Sequence, residues 1–141
     1  MKHWMMRQRP IEMRSPDART YWMDGKPKEP VSHNWIRCRT EIGADPRMHQ
    51  VILAYASDMN LLSTGMRPHA VHWQTPGFQS ASLDHAMWFH KATDFTGWHL
   101  YHQDSPSSSG GRGFIRGSIY AEDGTLVASV AQEGLMRMRK T

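Results

Sequence analysis

Apolar and polar residues alternate along several short stretches of the chain, and each stretch predicts a strand with one buried face. Ile11-Glu12-Met13-Arg14 is the first, following Pro10. His33 to Arg39 alternates again, with Trp35 or its neighbours Ile36 and Cys38 turned inward. The residues between, 15–30, hold Pro16, Gly25, Pro27 and Pro30 among charges and are expected to form a loop. The period then changes. Asp45 has the character of a helix N-cap and Pro46 of a first helical residue. Met48, Ile52, Tyr55, Met59 and Leu62 recur at helical steps and predict one buried face, with Gly65 and Pro68 ending the helix. Val51, Leu53, Ala54, Ala56 and Leu61 make the helix apolar on further faces, so a sheet is expected to wrap it.

Beyond the helix, Pro68–Gly77 is expected to be a loop, and Ser80–His90 and Thr96–Gln103 to be strands. Ser105-Pro106-Ser107-Ser108-Ser109-Gly110-Gly111 is small and flexible in composition and is expected to be a loop inside the domain. Phe114–Tyr120 and Leu126–Ala131 flank Glu122-Asp123-Gly124, an Asp-Gly hairpin signal. The order is therefore two strands, one long apolar helix and four antiparallel strands. That is an α+β fold: a twisted antiparallel sheet around one central helix. A hotdog fold fits this order, as do other α+β folds.

Composition narrows the class. The 141 residues suit a single domain, expected over 9–141 with residues 1–8 as a loose tail. No run of about 18 apolar residues occurs, so no membrane insertion is expected. The basic start lacks the apolar segment of a secretory signal. One cysteine, Cys38, has no internal disulfide partner, which fits a reducing compartment with the cytoplasm as default. The net charge of +4 suits a polyanionic ligand or is a modest surface excess. The basic residues are scattered rather than blocked, which argues against nucleic acid.

Four segments carry a resemblance. They are His49–Asn60 (HQVILAYASDMN), Ala81–His90 (ASLDHAMWFH), Ser105–Phe114 (SPSSSGGRGF) and Leu126–Arg137 (LVASVAQEGLMR). Together, in this order and spacing, they resemble the acyl-CoA thioesterase II family, and the likeness runs from Arg9 to Arg139. That family is similar to a double hotdog, two hotdog modules in one chain with the catalytic polar residues in the second. This sequence resembles only the second module, and the missing first module is the main departure.

The resemblance implies a hydrolytic water held by Asp58 on the helix, Ser82 beside the Leu-Asp-His motif and Gln132 near the last strand. Ser82 stands where some members carry Thr, keeping the hydroxyl and losing a methyl. From spacing alone these three do not stand out from a solvated Asp, a small strand Ser and a surface amide. Their chemistry fits the role. A carboxylate takes the proton of an attacking water, and a hydroxyl and an amide fix its other hydrogen bonds. Asp58 lies three residues after Tyr55, about 60° round the helix, and is expected at the edge of the buried face, partly desolvated.

Ser107, Ser108, Gly110, Gly111, Arg112 and Arg116 are candidates for the CoA nucleotide, since backbone N–H groups in Gly/Ser-rich turns and arginine forks bind phosphate. The alternative is a flexible loop with two solvated arginines. Met59, Leu62, Met66, Met87 and Trp88 are candidates for an acyl slot or plain core. Asp84 and His85 would point to opposite faces of a strand, which predicts structural roles for both, hydrogen-bonded to the helix. No Cys/His set has zinc spacing, Cys38 has no evident base, and no G-x-S-x-G elbow occurs. No metal or cofactor is expected.

Two readings follow: an acyl-CoA hydrolase, or a non-catalytic acyl-CoA-binding or assembly subunit needing a second hotdog chain. A lone hotdog leaves an edge strand and a helix flank open, which predicts a C2 dimer or a partner module.

Overall fold

The structure is a computed structural model and describes residues 10–16 and 24–139. The expected tail 1–8 and residues 17–23 of the expected loop lie outside the described residues. The strands are β1 (Ile11–Arg14), β2 (Val31–Cys38), β3 (Phe78–Ser82), β4 (Ala86–Phe89), β5 (His99–Ser109), β6 (Arg112–Ala121) and β7 (Leu126–Met138). The helices are α1 (Pro46–Asp58) and α2 (Leu61–Met66), followed by a 3-10 turn at Arg67–His69. The strands form one antiparallel sheet in the order β1-β2-β5-β6-β7-β3, with β4 also pairing β7. The sheet curls round the helices, the hotdog arrangement expected.

The inner face of the sheet is built from every second residue of each alternating strand. Ile36 and Cys38 of β2, Tyr101 of β5, Ile115 and Ile119 of β6 and Val130 of β7 are buried against Leu53, Ala56, Leu61, Leu62 and Met66 of the helices. Trp35 points outward and is 40% exposed, so the inward residues of β2 are its neighbours.

Four expectations need correction. The helix is not continuous to Leu62. Asp45 caps α1 as expected, its side chain accepting from Arg47 N–H at 3.0 Å. The helix stops at Asp58, and Asn60 takes a left-handed conformation with φ of 68°. Asn tolerates that region because its short amide bonds locally; here Ser63 Oγ donates to Asn60 Oδ1 at 2.8 Å.

The buried face of α1 is also different. It is His49, Leu53, Ala56 and Ser57, while Met48 and Tyr55 are 45% and 57% exposed. The true face is held partly by polar bonds, which a count of apolar residues does not see. His49 Nδ1 accepts from Phe95 N–H at 3.0 Å and Nε2 donates to Gly43 O at 2.8 Å.

Ser80–His90 is two strands, not one. β3 pairs residues 134–138 of β7 and β4 pairs residues 128–131. Across the break, Leu83 N–H still donates to Glu133 O at 2.9 Å, but Asp84 Oδ1 takes the Glu133 N–H at 2.7 Å. A side chain thus replaces a strand carbonyl, and the backbone of 83–85 is released to turn.

Ser105–Gly111 is not a loop but the end of β5 and a two-residue turn. A register shift between Asp104 and Ser107 absorbs Pro106, which cannot donate to the ladder. Gly110 and Gly111 have φ of 59° and 74°, as a tight hairpin turn demands.

Candidate active site

Asp58 is the last residue of α1, Ser82 the last of β3, and Gln132 an inward residue of β7. The curl of the sheet brings all three together. Gln132 Nε2 donates to Ser82 Oγ at 2.7 Å, and Ser82 Oγ donates to Asp58 Oδ1 at 3.4 Å. The second contact is stretched for an O–H···O bond, so hydroxyl and carboxylate keep capacity for another partner. Gln132 is 1% exposed, whereas the Asp58 side chain is 57% exposed. The expectation of a partly desolvated carboxylate is therefore corrected: the helix ends at Asp58, so its side chain projects past the last turn into the open edge of the sheet.

His85 belongs to the same cluster, a placement that strand alternation did not predict. It follows the break after β3, so it is free of the strand's alternation, and its Nδ1 lies 2.5 Å from Gln132 Oε1. A carbonyl oxygen only accepts, so Nδ1 carries the proton. Nε2 lies 2.8 Å from Ser57 Oγ, so the helix bond expected of the Asp84–His85 pair is made by His85. Nδ1 is also 3.9 Å from Asp58 Oδ1. Asp84, by contrast, serves the backbone of Glu133, so the two neighbours do take separate tasks.

The end of α1 is held from below. Tyr101 Oη donates to Ser57 O at 2.7 Å. Burial pushes the Tyr101 phenol well above its ordinary range, and the nearby Asp58 charge adds to that. Tyr101 reaches the helix by lying across Gly117, where an added Cβ would sit 2.4 Å from its ring. The glycine is thus a packing requirement for the site.

Ser107, Ser108, Gly110, Gly111 and Arg112 lie at the turn end of the β5–β6 hairpin, Arg116 sits mid-strand opposite Asp104, and the candidates do not share one face. Ser107 pairs with outward Phe114 and Ser108 with inward Gly113. Arg116 forks onto Asp104, which holds the guanidinium charged all the more firmly. Arg112 makes a longer contact with Glu133, 3.4 Å. Ser108 bonds His69 at 2.9 Å beside a cleft of about 320 Å³ lined by Val71, Phe78, Gly111, Met136 and Met138. Among the acyl-slot candidates, Leu62 and Met66 are core, Met59 and Met87 partly buried, and Trp88 54% exposed. Cys38 is a buried free thiol. Among the described residues no helix is long and apolar enough to cross a membrane.

The acyl-CoA thioesterase family model matches residues 2–135. Acyl-CoA thioesterase 2 of Haemophilus influenzae is 34% identical over 130 residues, 92% of this chain and 45% of that protein. Human acyl-coenzyme A thioesterase 8 is 40% identical over 112 residues, 79% of this chain and 34% of that protein. The crystal structure of an acyl-CoA thioesterase II from Mycobacterium marinum superposes with a TM-score of 0.78 at 37% identity, covering 93% of this chain and 50% of that one. The chain thus spans half or less of the length of these relatives, and by its sequence and its fold it belongs to the acyl-CoA thioesterase family.

Proposed function

We propose that the chain carries the hydrolytic site of an acyl-CoA thioesterase, cleaving fatty acyl-CoA to free fatty acid and CoA with a water activated by Asp58 and oriented by Ser82 and Gln132. The observation that carries this reading is the directed chain of hydrogen bonds from Gln132 through Ser82 to Asp58 in a member of this family. The carboxylate takes the proton as the water oxygen attacks the thioester carbonyl carbon. The amide and hydroxyl hold the water's lone pair in line, which removes part of the orientational barrier.

The position of Asp58 supports a chemical rather than a structural role. No basic residue lies in the last turn of α1. A carboxylate at a helix C-terminus is disfavoured by the helix dipole by about 0.3–1 kcal/mol. A residue that costs stability where it stands is one retained for another task.

The CoA nucleotide is proposed to lie along the β5–β6 hairpin between its turn and Arg116, its contacts drawn from Ser107, Ser108, Gly110, Gly111, Arg112 and Arg116. Arg112 and Arg116 have side chains 52% and 57% exposed there. The alternative is a subunit that acts only with a second hotdog surface, supplied by another copy or a separate module. Its support is the exposed apolar strip of Leu83, Trp88 and Phe89 along the open edge, and of Met48, Val51 and Tyr55 on α1.

A thiol-release assay over a series of acyl-CoA lengths tests the reading. Wild-type protein should release CoA, and Ser82→Ala and Gln132→Ala should each lower kcat. Unchanged kcat in both variants would remove the water-positioning role.

A further inference from the structure

We propose that His85 is a positioning residue for the reaction, setting which end of the Gln132 amide faces Ser82. The inference rests on the hydrolase reading above. Gln132 has a carbonyl and an amino end of nearly equal shape, and packing alone does not choose between them. Only one choice makes every donor point toward the carboxylate: His85 Nδ1–H to Gln132 Oε1, Gln132 Nε2–H to Ser82 Oγ, and Ser82 O–H to Asp58 Oδ1. With the amide reversed, its oxygen would take the Ser82 proton, and Asp58 would lose that bond.

The imidazole is itself fixed. Ser57 Oγ holds Nε2 at 2.8 Å, and Ser57 is fully buried at the end of α1, beside Asp58 in sequence. The single Ser57 hydroxyl proton has two acceptors at 2.8 Å, Nε2 and Ala54 O, and the Nδ1–H ring takes it at Nε2. The Ser57 carbonyl receives the Tyr101 phenol. The side chains therefore close a ring that leaves α1 at Ser57, passes through His85, Gln132 and Ser82, and returns to α1 at Asp58. Helix end and sheet edge are locked in one register. His85 Nδ1 lies 3.9 Å from Asp58 Oδ1, beyond hydrogen-bond distance, so His85 acts through its bond to Gln132.

The test pairs kinetics with nuclear magnetic resonance of the Gln132 side-chain NH2, identified by its loss in Gln132→Glu. His85→Ala should move the Gln132 NH2 resonances toward those of a free amide and lower kcat roughly tenfold or more with KM nearly unchanged, the scale of a small misplacement of a reacting group. His85→Asn, which offers an N–H near the Nδ1 position, should restore most of both. Ser57→Ala, which frees the ring and keeps it, should shift the resonances in the same direction and serves if His85→Ala does not fold. Unmoved Gln132 resonances in these variants, or moved resonances with kcat intact, would overturn the proposal. A wild-type chain that releases no thiol, alone or with a second hotdog module added, sinks the hydrolase reading instead, and the resonances then decide separately whether His85 orients Gln132.

Discussion

At the scale of single residues, the site is built from groups whose neighbours decide their hydrogen-bond direction. The trio of Asp58, Ser82 and Gln132 became visible in the sequence only through family likeness, because each residue type is common on surfaces. Asp84 and His85 were legible as a structural pair but His85 not as a site member, since the Ser80–His90 stretch reads as one strand and alternation then sets the two on opposite faces. The break is encoded by Asp84, whose side chain takes the Glu133 N–H, a long-range bond without a local pattern.

A second histidine governs acid sensitivity. His99 is buried, and burial holds its pKa below the ordinary imidazole value. Its Nδ1–H donates to Gly97 O and Nε2 accepts from Thr93 Oγ1, which suits the neutral ring. The unfolded chain binds a proton near pH 6.5 and the folded chain does not until lower pH. Stability is therefore full above about 6.5 and falls as pH drops from there toward the lowered folded value. Melting temperature should decline below pH 6.5 in wild type and decline less in His99→Asn. Parallel curves for the two proteins would contradict the assignment.

At the scale of elements, alternation located the strands well because one face of each packs on the core. It misjudged α1. Met48, Val51 and Tyr55 on its open side are apolar too, so periodicity had two faces to choose from. The serine-rich end of β5 hid a strand, because Ser and Gly signal turns while the ladder and the Asp104/Ser107 shift hold the backbone extended. The contact of Tyr101 with Gly117 couples sheet to site. Gly117→Ala places a Cβ against the ring, and overpacking of this kind costs about 1–3 kcal/mol. A lowered urea midpoint together with reduced thiol release is expected. Wild-type stability in this variant would show that the ring has room to move.

At the scale of the whole molecule, an exposed apolar strip lies on the edge that carries Ser82 and His85. Relatives of about twice the length match over this module, which supports a second hotdog surface against the strip. The chain should sediment at twice its mass or show thiol release only when a second module is added. Trp88→Lys, at a 54% exposed edge position, should weaken both association and turnover. A fully active monomer would remove the need for a second surface.

The proposed hydrolysis depends on a single carboxylate that activates the water, and Asp58→Asn removes that carboxylate alone. Asn keeps the shape and removes the proton acceptor. Thiol release should fall by a factor of roughly a hundred or more, the scale of a lost general base, while the melting temperature stays level or rises as the helix end loses an unfavourable charge. Asp58→Asn protein that hydrolyses acyl-CoA at the wild-type rate would contradict that dependence.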